Sequence, residues 1–269
     1  MNSEQREKIM KKIAVITGAS SGMGREFVKT LNTFDKYDEI WAIARRKDRL
    51  EELKSTAPFP VRAIPMDLTD PDLPALYQAL LDELGADERI ALLVNASGFG
   101  KFEAVMDVPL EDNLNMVDLN CKALMTLCQL SVPYMCTGAQ IVNMASVAAF
   151  QPIPYINIYA ATKAFVLSYS RALNRELKGE DIHVMAVCPF WTKTEFFNRA
   201  ITNPDKQIVK KYAAMYNPED IVRRAFRDLK RRKDVSMYGF VARGQKLLVK
   251  LLPHSFVMDT WMRQQDLDN

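Results

Sequence analysis

Tyr159 and Lys163 are the pair in this chain best suited to moving a proton. Four residues apart on a helix, their side chains lie on one face, one above the other. A lysine ammonium beside a phenol favours the phenolate and lowers a pKa that is ordinarily near 10. A tyrosine tuned in this way can pass a proton near neutral pH. Taken alone, Tyr-x-x-x-Lys occurs by chance on many helices. Its meaning depends on what lies upstream.

Thirteen residues before Tyr159 stands Ser146. It closes the apolar run Ile141-Val142-Asn143-Met144-Ala145, which reads as a strand. Ligands of open α/β sheets bind at that C-terminal end of the strands. Further upstream, Leu110 to Met135 forms a long helical pattern carrying Asn120 among Met116, Leu119, Leu124 and Leu127. A polar amide in such company is either a packed helix residue or a functional one.

The elements that must position these groups begin near the N-terminus. Lys12 to Ile16 is a short apolar strand that runs into Thr17-Gly18-Ala19-Ser20-Ser21-Gly22-Met23-Gly24. A helical pattern with Phe27, Val28 and Leu31 follows. Strand, glycine-rich turn and helix together present free N–H groups to a pyrophosphate. A second strand, Glu39 to Ala44, ends at Arg45 and Arg46. An acid at that place would hold a ribose hydroxyl, whereas an arginine can pair with a ribose 2′-phosphate. The alternative is that both arginines are the solvated start of the charged helix through Leu53. A third strand, Val61 to Met66, leads to Asp67 and Leu68. Asp67 suits either an adenine amino group or a cap for the helix starting near Asp72. A fourth strand, Ile90 to Val94, leads to Asn95-Ala96-Ser97-Gly98, and a sixth, Ile182 to Val187, to Cys188-Pro189-Phe190-Trp191-Thr192-Lys193-Thr194. Strands alternating with helices in this way describe one doubly wound parallel α/β sheet with right-handed crossovers.

Two segments break the rhythm. Residues 195–217 carry Phe196, Phe197, Ile201, Tyr212, Met215 and Tyr216, and suggest an apolar-faced lid over a substrate; an ordinary helical hairpin on the core would look the same. Residues 240–269 mix Lys246, Lys250 and Arg263 with Leu247, Leu248, Leu251, Leu252, Phe256, Val257 and Trp261. That segment suits, in order, a cap on the substrate pocket, an oligomer contact, or a peripheral contact with a membrane surface.

The composition bounds the rest. The chain has 269 residues, 48% of them hydrophobic, which suffices for one sizeable core. A net charge of +3 is too small to imply nucleic acid as a partner. No apolar run is long enough to span a bilayer. The polar stretch Met1 to Lys12 lacks the apolar core of a secretory signal, so a cytoplasmic location is expected. Cys121, Cys128, Cys136 and Cys188 have no zinc-like spacing and read as reduced thiols. With only two histidines, of which His183 sits in an apolar run, no metal site is expected.

From Lys12 to Thr194 these motifs, in this order, resemble the short-chain dehydrogenase/reductase family. Thr17-Gly18-x-x-x-Gly22-x-Gly24 resembles its cofactor turn, Asp67 its adenine-contacting acid, and Asn120, Ser146, Tyr159 and Lys163 its catalytic tetrad. Two positions depart from the family pattern. Asn95-Ala96-Ser97-Gly98 has one amide fewer than the usual Asn-Asn-Ala-Gly, and Phe190 replaces the glycine that ordinarily follows the proline.

The resemblance implies hydride transfer between a nicotinamide and a carbonyl or carbinol carbon. Tyr159 would carry the proton, Lys163 would lower the tyrosine pKa and hold the nicotinamide ribose, Ser146 would bind the substrate oxygen, and Asn120 would hold a relay water. Cofactor contacts are expected from Gly18, Ser20, Ser21, Gly22, Met23, Gly24, Arg45, Arg46, Asp67, Leu68, Asn95, Ala96, Ser97, Tyr159, Lys163, Pro189, Thr192 and Thr194, with NADP as the cofactor. Substrate contacts are expected from Ser146, Tyr159, Phe99, Ala148, Phe190, Phe196 and Phe197. These describe a lipophilic ketone or secondary alcohol, such as a steroid or bile-acid-like ring system. The alternatives are a 3-oxoacyl-thioester reductase using Arg223, Arg224 and Arg227 as a basic surface, and a non-catalytic NADP sensor. A homodimer or homotetramer is expected, paired through the helices that carry Asn120 and Tyr159.

Overall fold

The computed structural model describes residues 10–200 and 208–267. Among the described residues the seven strands are β1 (Lys11–Thr17), β2 (Glu39–Ala44), β3 (Val61–Pro65), β4 (Glu88–Asn95), β5 (Met135–Met144), β6 (His183–Val187) and β7 (Val235–Ser236). All pair in parallel, in the order β3-β2-β1-β4-β5-β6-β7. The order reverses between β1 and β4, which opens a crevice at the C-terminal ends of those strands.

The helices are α1 (Gly22–Thr30), α2 (Lys47–Glu51), α3 (Leu53–Thr56), α4 (Leu73–Leu81), α5 (Leu110–Val117), α6 (Leu124–Ser131), α7 (Asn157–Glu176), α8 (Phe196–Ala200), α9 (Pro218–Lys230), α10 (Phe240–Leu251) and α11 (His254–Gln264). Side chains of successive strand residues point to opposite faces, so each strand feeds two cores. Ile13 and Val15 pack with Tyr77 of α4, Leu127 of α6 and Val166 of α7. Ala14 and Ile16 pack on the other face with Phe27 of α1 and Val222 and Phe226 of α9. This two-sided burial explains why the strands read as unbroken apolar runs.

Four features differ from the sequence reading. The helical pattern from Leu110 to Met135 is not continuous: a π-helical turn, Asp118–Ala123, separates α5 from α6 and carries Asn120. The helix ends in a 3-10 turn at Pro133, and β5 begins at Met135 rather than Ile141. Proline cannot donate to a helical hydrogen bond, so the chain leaves the helix there. β7 is two residues long and carries no apolar run that would mark it. Of the segment 195–217, α8 opens it, residues 201–207 with Ile201 lie outside the described residues, and the described residues 208–217 form no regular helix.

A smaller cluster of Phe102, Ile153, Ile156, Ala160, Ala200 and Val209 sits beyond the sheet edge. The C-terminal helices are fastened over it. Trp261 Nε1 donates to the Pro154 carbonyl at 3.1 Å. Gln265 accepts from Lys210 N and Lys211 N at 2.9 and 3.1 Å and donates to Lys211 O.

Candidate active site and nucleotide cavity

α7 brings Tyr159 and Lys163 to the ends of β4 and β5. Lys163 is buried, and its Nζ donates to the Met144 carbonyl at 2.8 Å. The same nitrogen lies 5.6 Å from the centre of the Tyr159 ring. Burial pushes the Tyr159 phenol up to about 12, partly offset by a hydrogen bond with Ser146. Burial also pushes Lys163 down to about 8. The expected downward tuning of the tyrosine by the lysine is therefore absent from the protein alone. Taking a phenolate out of water disfavours it, and the hydrogen bond with Ser146 returns only part of that cost.

Ser146 follows β5, and its Oγ accepts from Ala148 N at 3.1 Å. Ser146 and Tyr159 lie in the wall of a cavity of about 520 Å³. Asn120 is held differently. Its Oδ1 accepts from Phe99 N at 3.1 Å, and its Nδ2 donates to Phe99 O at 2.9 Å and Thr162 Oγ1 at 3.0 Å. Its side-chain amide thus pins the loop after β4 to α7, and lines neither cavity.

A second cavity runs across the switch point. It is lined by Gly18, Ser20, Ser21, Gly22 and Met23, by Arg45 and Arg46 after β2, by Asp67 and Leu68 after β3, and by Ala96 and Ser97 after β4. Ala96, Ser97, Gly98, Met23, Thr194 and Phe196 border both cavities, so the two meet beside Lys163. The walls fit a dinucleotide. Gly18 has φ +66°, and a Cβ there would lie 2.8 Å from the Ala96 carbonyl oxygen. A Cβ on Gly98 would lie 2.8 Å from Asn120 Oδ1 and 3.3 Å from Lys163 Nζ. Ser21 precedes α1 without capping it by its side chain, which leaves first-turn N–H groups facing the cavity for an anionic group.

At the far end of this cavity Arg46 donates to Ser20 Oγ from Nε and Nη2, at 3.3 and 3.1 Å. Glu195 reaches across to Arg46 at 3.1 Å and to Arg49 at 2.6 Å. Those bonds hold the Glu195 carboxyl below its ordinary range. Arg45 turns the other way, 3.9 Å from Asp67. Burial pushes Asp67 up, but hydrogen bonds from Thr69 N and Oγ1 and the nearby Arg45 outweigh it, and the net shift is downward.

Residues 12–205 match the family described as short chain dehydrogenase. The chain belongs to that family. Within it, a sulfoacetaldehyde reductase 2 from Chromohalobacter salexigens is 35% identical over 195 residues, covering 70% of this chain and 75% of that protein. A probable NADP-dependent dehydrogenase from Haemophilus influenzae is 32% identical, covering 77% and 83%. Among solved structures, a short-chain dehydrogenase from Sphingobium yanoikuyae in complex with NADPH is 30% identical, with a TM-score of 0.73 and coverage of 93% and 96%. A bulky-bulky ketone specific alcohol dehydrogenase from Comamonas testosteroni is 25% identical, with a TM-score of 0.70 and coverage of 93% and 94%.

Several residues of this short-chain dehydrogenase sit elsewhere than the sequence reading put them. Asn95 is buried and lines neither cavity; its Nδ2 donates to Asn143 Oδ1 at 2.9 Å. Asn143 Nδ2 in turn donates to Ser170 Oγ at 3.0 Å. Asn95 and Asn143 thus pair across the neighbouring strands β4 and β5. Gly24 lies behind the turn against the Gly18 carbonyl, where a side chain would not fit. Phe99 faces the nucleotide cavity, under the Arg199 guanidinium at 3.6 Å, and not the cavity of Ser146 and Tyr159, where substrate contacts were expected. Phe102 lines the substrate cavity, as do Ala148, Pro189, Phe190, Thr192, Thr194, Phe196 and Phe197. Arg223 and Arg224 pair with Asp220 and Asp228 on α9, and with Arg227 they stand apart from the substrate cavity.

The sequence reading missed Arg49, Glu195 and Arg199 in the nucleotide cavity and Gln151, Trp191 and Gln245 in the substrate cavity. Arg49 had a legible signal, since it is one helical turn beyond Arg45 and Arg46. Glu195 and Gln245 reach their sites from distant segments, and no spacing in the sequence indicates them.

Proposed function

We propose that this protein is an NADP-dependent oxidoreductase that interconverts a lipophilic ketone and its secondary alcohol. The observation that carries this reading is the composition of the substrate cavity. Ser146 and Tyr159 open into walls built from Phe102, Ile153, Phe190, Trp191, Phe196, Leu248 and Phe256, and Lys163 is the one charged residue among its described lining. A small carboxylate, sulfonate or phosphate substrate would face desolvation with no cation of its own. A neutral ring system gains from burial on aromatic and aliphatic walls.

Arg46, Arg49 and Ser20 support the choice of NADP, because a ribose 2′-phosphate would find two guanidiniums and a hydroxyl at that end of the cavity. The relatives named for NADP and NADPH are consistent with it. Bound nicotinamide supplies the hydride chemistry. The chain's own groups handle the oxygen. Tyr159, protonated at neutral pH with its pKa near 12, gives its proton to the carbonyl oxygen during reduction. Ser146 Oγ hydrogen-bonds the same oxygen as charge develops. Lys163 places a positive charge next to the phenol as it loses that proton. Phe102, Phe196 and Trp191 keep water from the reacting carbon.

The test is a titration with NADPH and with NADH, followed by a panel of ketones that includes hydroxysteroid precursors and a 3-oxoacyl-CoA. NADPH oxidation by bulky hydrophobic ketones is the expected result. Turnover confined to the thioester would instead favour acyl reduction, the activity named for a human very-long-chain 3-oxoacyl-CoA reductase that is 30% identical over 192 residues, covering 68% of this chain and 60% of that protein. Turnover confined to short polar acids would overturn the reading.

A further inference from the structure

We infer that α10 and α11 form a docking surface for an anionic lipid membrane, with the mouth of the substrate cavity opening into it. On α10 the residues Phe240, Leu247 and Leu251 share one helical stripe and are 89%, 60% and 72% exposed. A row of large apolar side chains facing water marks an interaction surface. Ala242 and Val249, on the opposite side, are buried against the body of the protein. The stripe is flanked by Arg243, Lys246 and Lys250, all exposed, and α10 contains no acidic residue. Basic side chains bordering an apolar stripe are the composition of a helix that lies in a membrane interface, its cations reaching back to lipid phosphates.

The same helices form the rim of the cavity. Leu248 and Leu252 of the α10 end and Phe256 of α11 line it and are also exposed, at 58%, 37% and 53%. One continuous apolar surface therefore runs from the outer stripe to the chamber that holds Ser146 and Tyr159. A substrate dissolved in lipid would reach the tyrosine without crossing water. This last point rests on the lipophilic-substrate reading; the docking surface itself does not.

A second copy of the chain fits this face less well. A two-fold pairing of α10 would set Arg243, Lys246 and Lys250 against their own like charges, with no carboxylate on the helix to answer them. Anionic lipid supplies the missing opposite charge.

The experiment is sedimentation of the full chain with phosphatidylglycerol-containing vesicles and with pure phosphatidylcholine vesicles, with no substrate present. Binding to the anionic vesicles is expected, weakened at high salt. Each cation near such a surface contributes roughly fivefold, so the Lys246→Glu/Lys250→Glu variant should lose more than tenfold. Leu247→Ser/Leu251→Ser should also lose binding. It should keep its rate on a water-soluble ketone, because neither residue lines the cavity. Failure of the wild-type chain to sediment, or equal sedimentation with both lipids, would overturn the inference. So would a mass in solution that falls from dimer to monomer in Leu247→Ser/Leu251→Ser, which would mean that a second copy covers the face. Because vesicle binding is read without turnover, it stands or fails separately from the substrate assignment.

Discussion

Glu195 joins Arg46 and Arg49 across the mouth of the nucleotide cavity, at 3.1 and 2.6 Å. The carboxylate comes from the segment that also carries Phe196, whose ring lies 5.5 Å from that of Tyr159. A single residue therefore connects the arginines suited to a ribose phosphate with the aromatic wall of the reaction chamber. A cofactor phosphate would compete with Glu195 for the same guanidiniums. Exposed pairs of this kind contribute about 0.2–1 kcal/mol, and tenfold in affinity is about 1.4 kcal/mol. Glu195→Gln should therefore tighten NADPH binding by roughly two- to fivefold and leave NADH unchanged. Fluorescence titration of both cofactors measures this, and an equal change for both would refute the competition.

Tyr159→Phe removes the proposed proton donor while keeping the ring that packs on Phe102 and Phe196. Loss of a general acid costs about 10²–10⁴-fold in rate. The variant should bind NADPH like the wild type and lose turnover by that factor. Normal turnover would mean that another group protonates the oxygen.

Lys163 holds its proton below about pH 8 and loses it above. Tyr159 stays protonated until about pH 12. The proposed ketone reduction would use the protonated phenol and the cationic lysine, so its kcat should be level below about pH 8 and decline above. Alcohol oxidation requires the phenolate and should rise with pH over the same range. A pair of pH profiles checks both signs, and parallel profiles would contradict the assignment of Tyr159 as proton carrier.

Gly98→Ala tests the junction of the two cavities. The added methyl would meet Asn120 Oδ1, which is fixed by Phe99 and Thr162, and would crowd Lys163. Displacements of about 1 Å at a catalytic group cost on the order of 10²-fold. A drop in kcat/KM of at least tenfold is expected, with a weaker Kd for NADPH and little change in the urea midpoint.

Asn143→Leu should act on stability instead. It removes the oxygen acceptor of Asn95 Nδ2, which is left with the weaker acceptor Cys128 Sγ, and the donor to Ser170 Oγ inside the protein. An unsatisfied buried group costs about 1–3 kcal/mol. For a chain of this size that lowers Tm by roughly 3–10 °C. Calorimetry measures the shift; an unchanged Tm would mean that the pair carries no weight in the sheet.

The pattern of strands and helices was legible because both periodicities are local. Ile13 to Ile16 and Ile141 to Met144 announce buried strands, and Pro218-Glu219-Asp220 announces the start of α9. The glycine turn and the Tyr159–Lys163 spacing were legible for the same reason, since each is set by covalent geometry within a single turn. The π-helical turn at Asn120 and the two-residue β7 were not, because packing rather than local propensity creates them.

The sequence by itself determined which groups stand at the ends of the strands: Thr17, Asn95, Ser146 and, through one helix, Tyr159 with Lys163. Tertiary structure decided what those groups experience. Burial, which no spacing encodes, raised the tyrosine and lowered the lysine. Pairing of β4 with β5 turned Asn95 towards Asn143 and out of both cavities. Chain segments far apart in sequence brought Glu195 to Arg46 and placed α10 and α11 over the cavity, since contacts of that separation form only once the whole sheet is assembled.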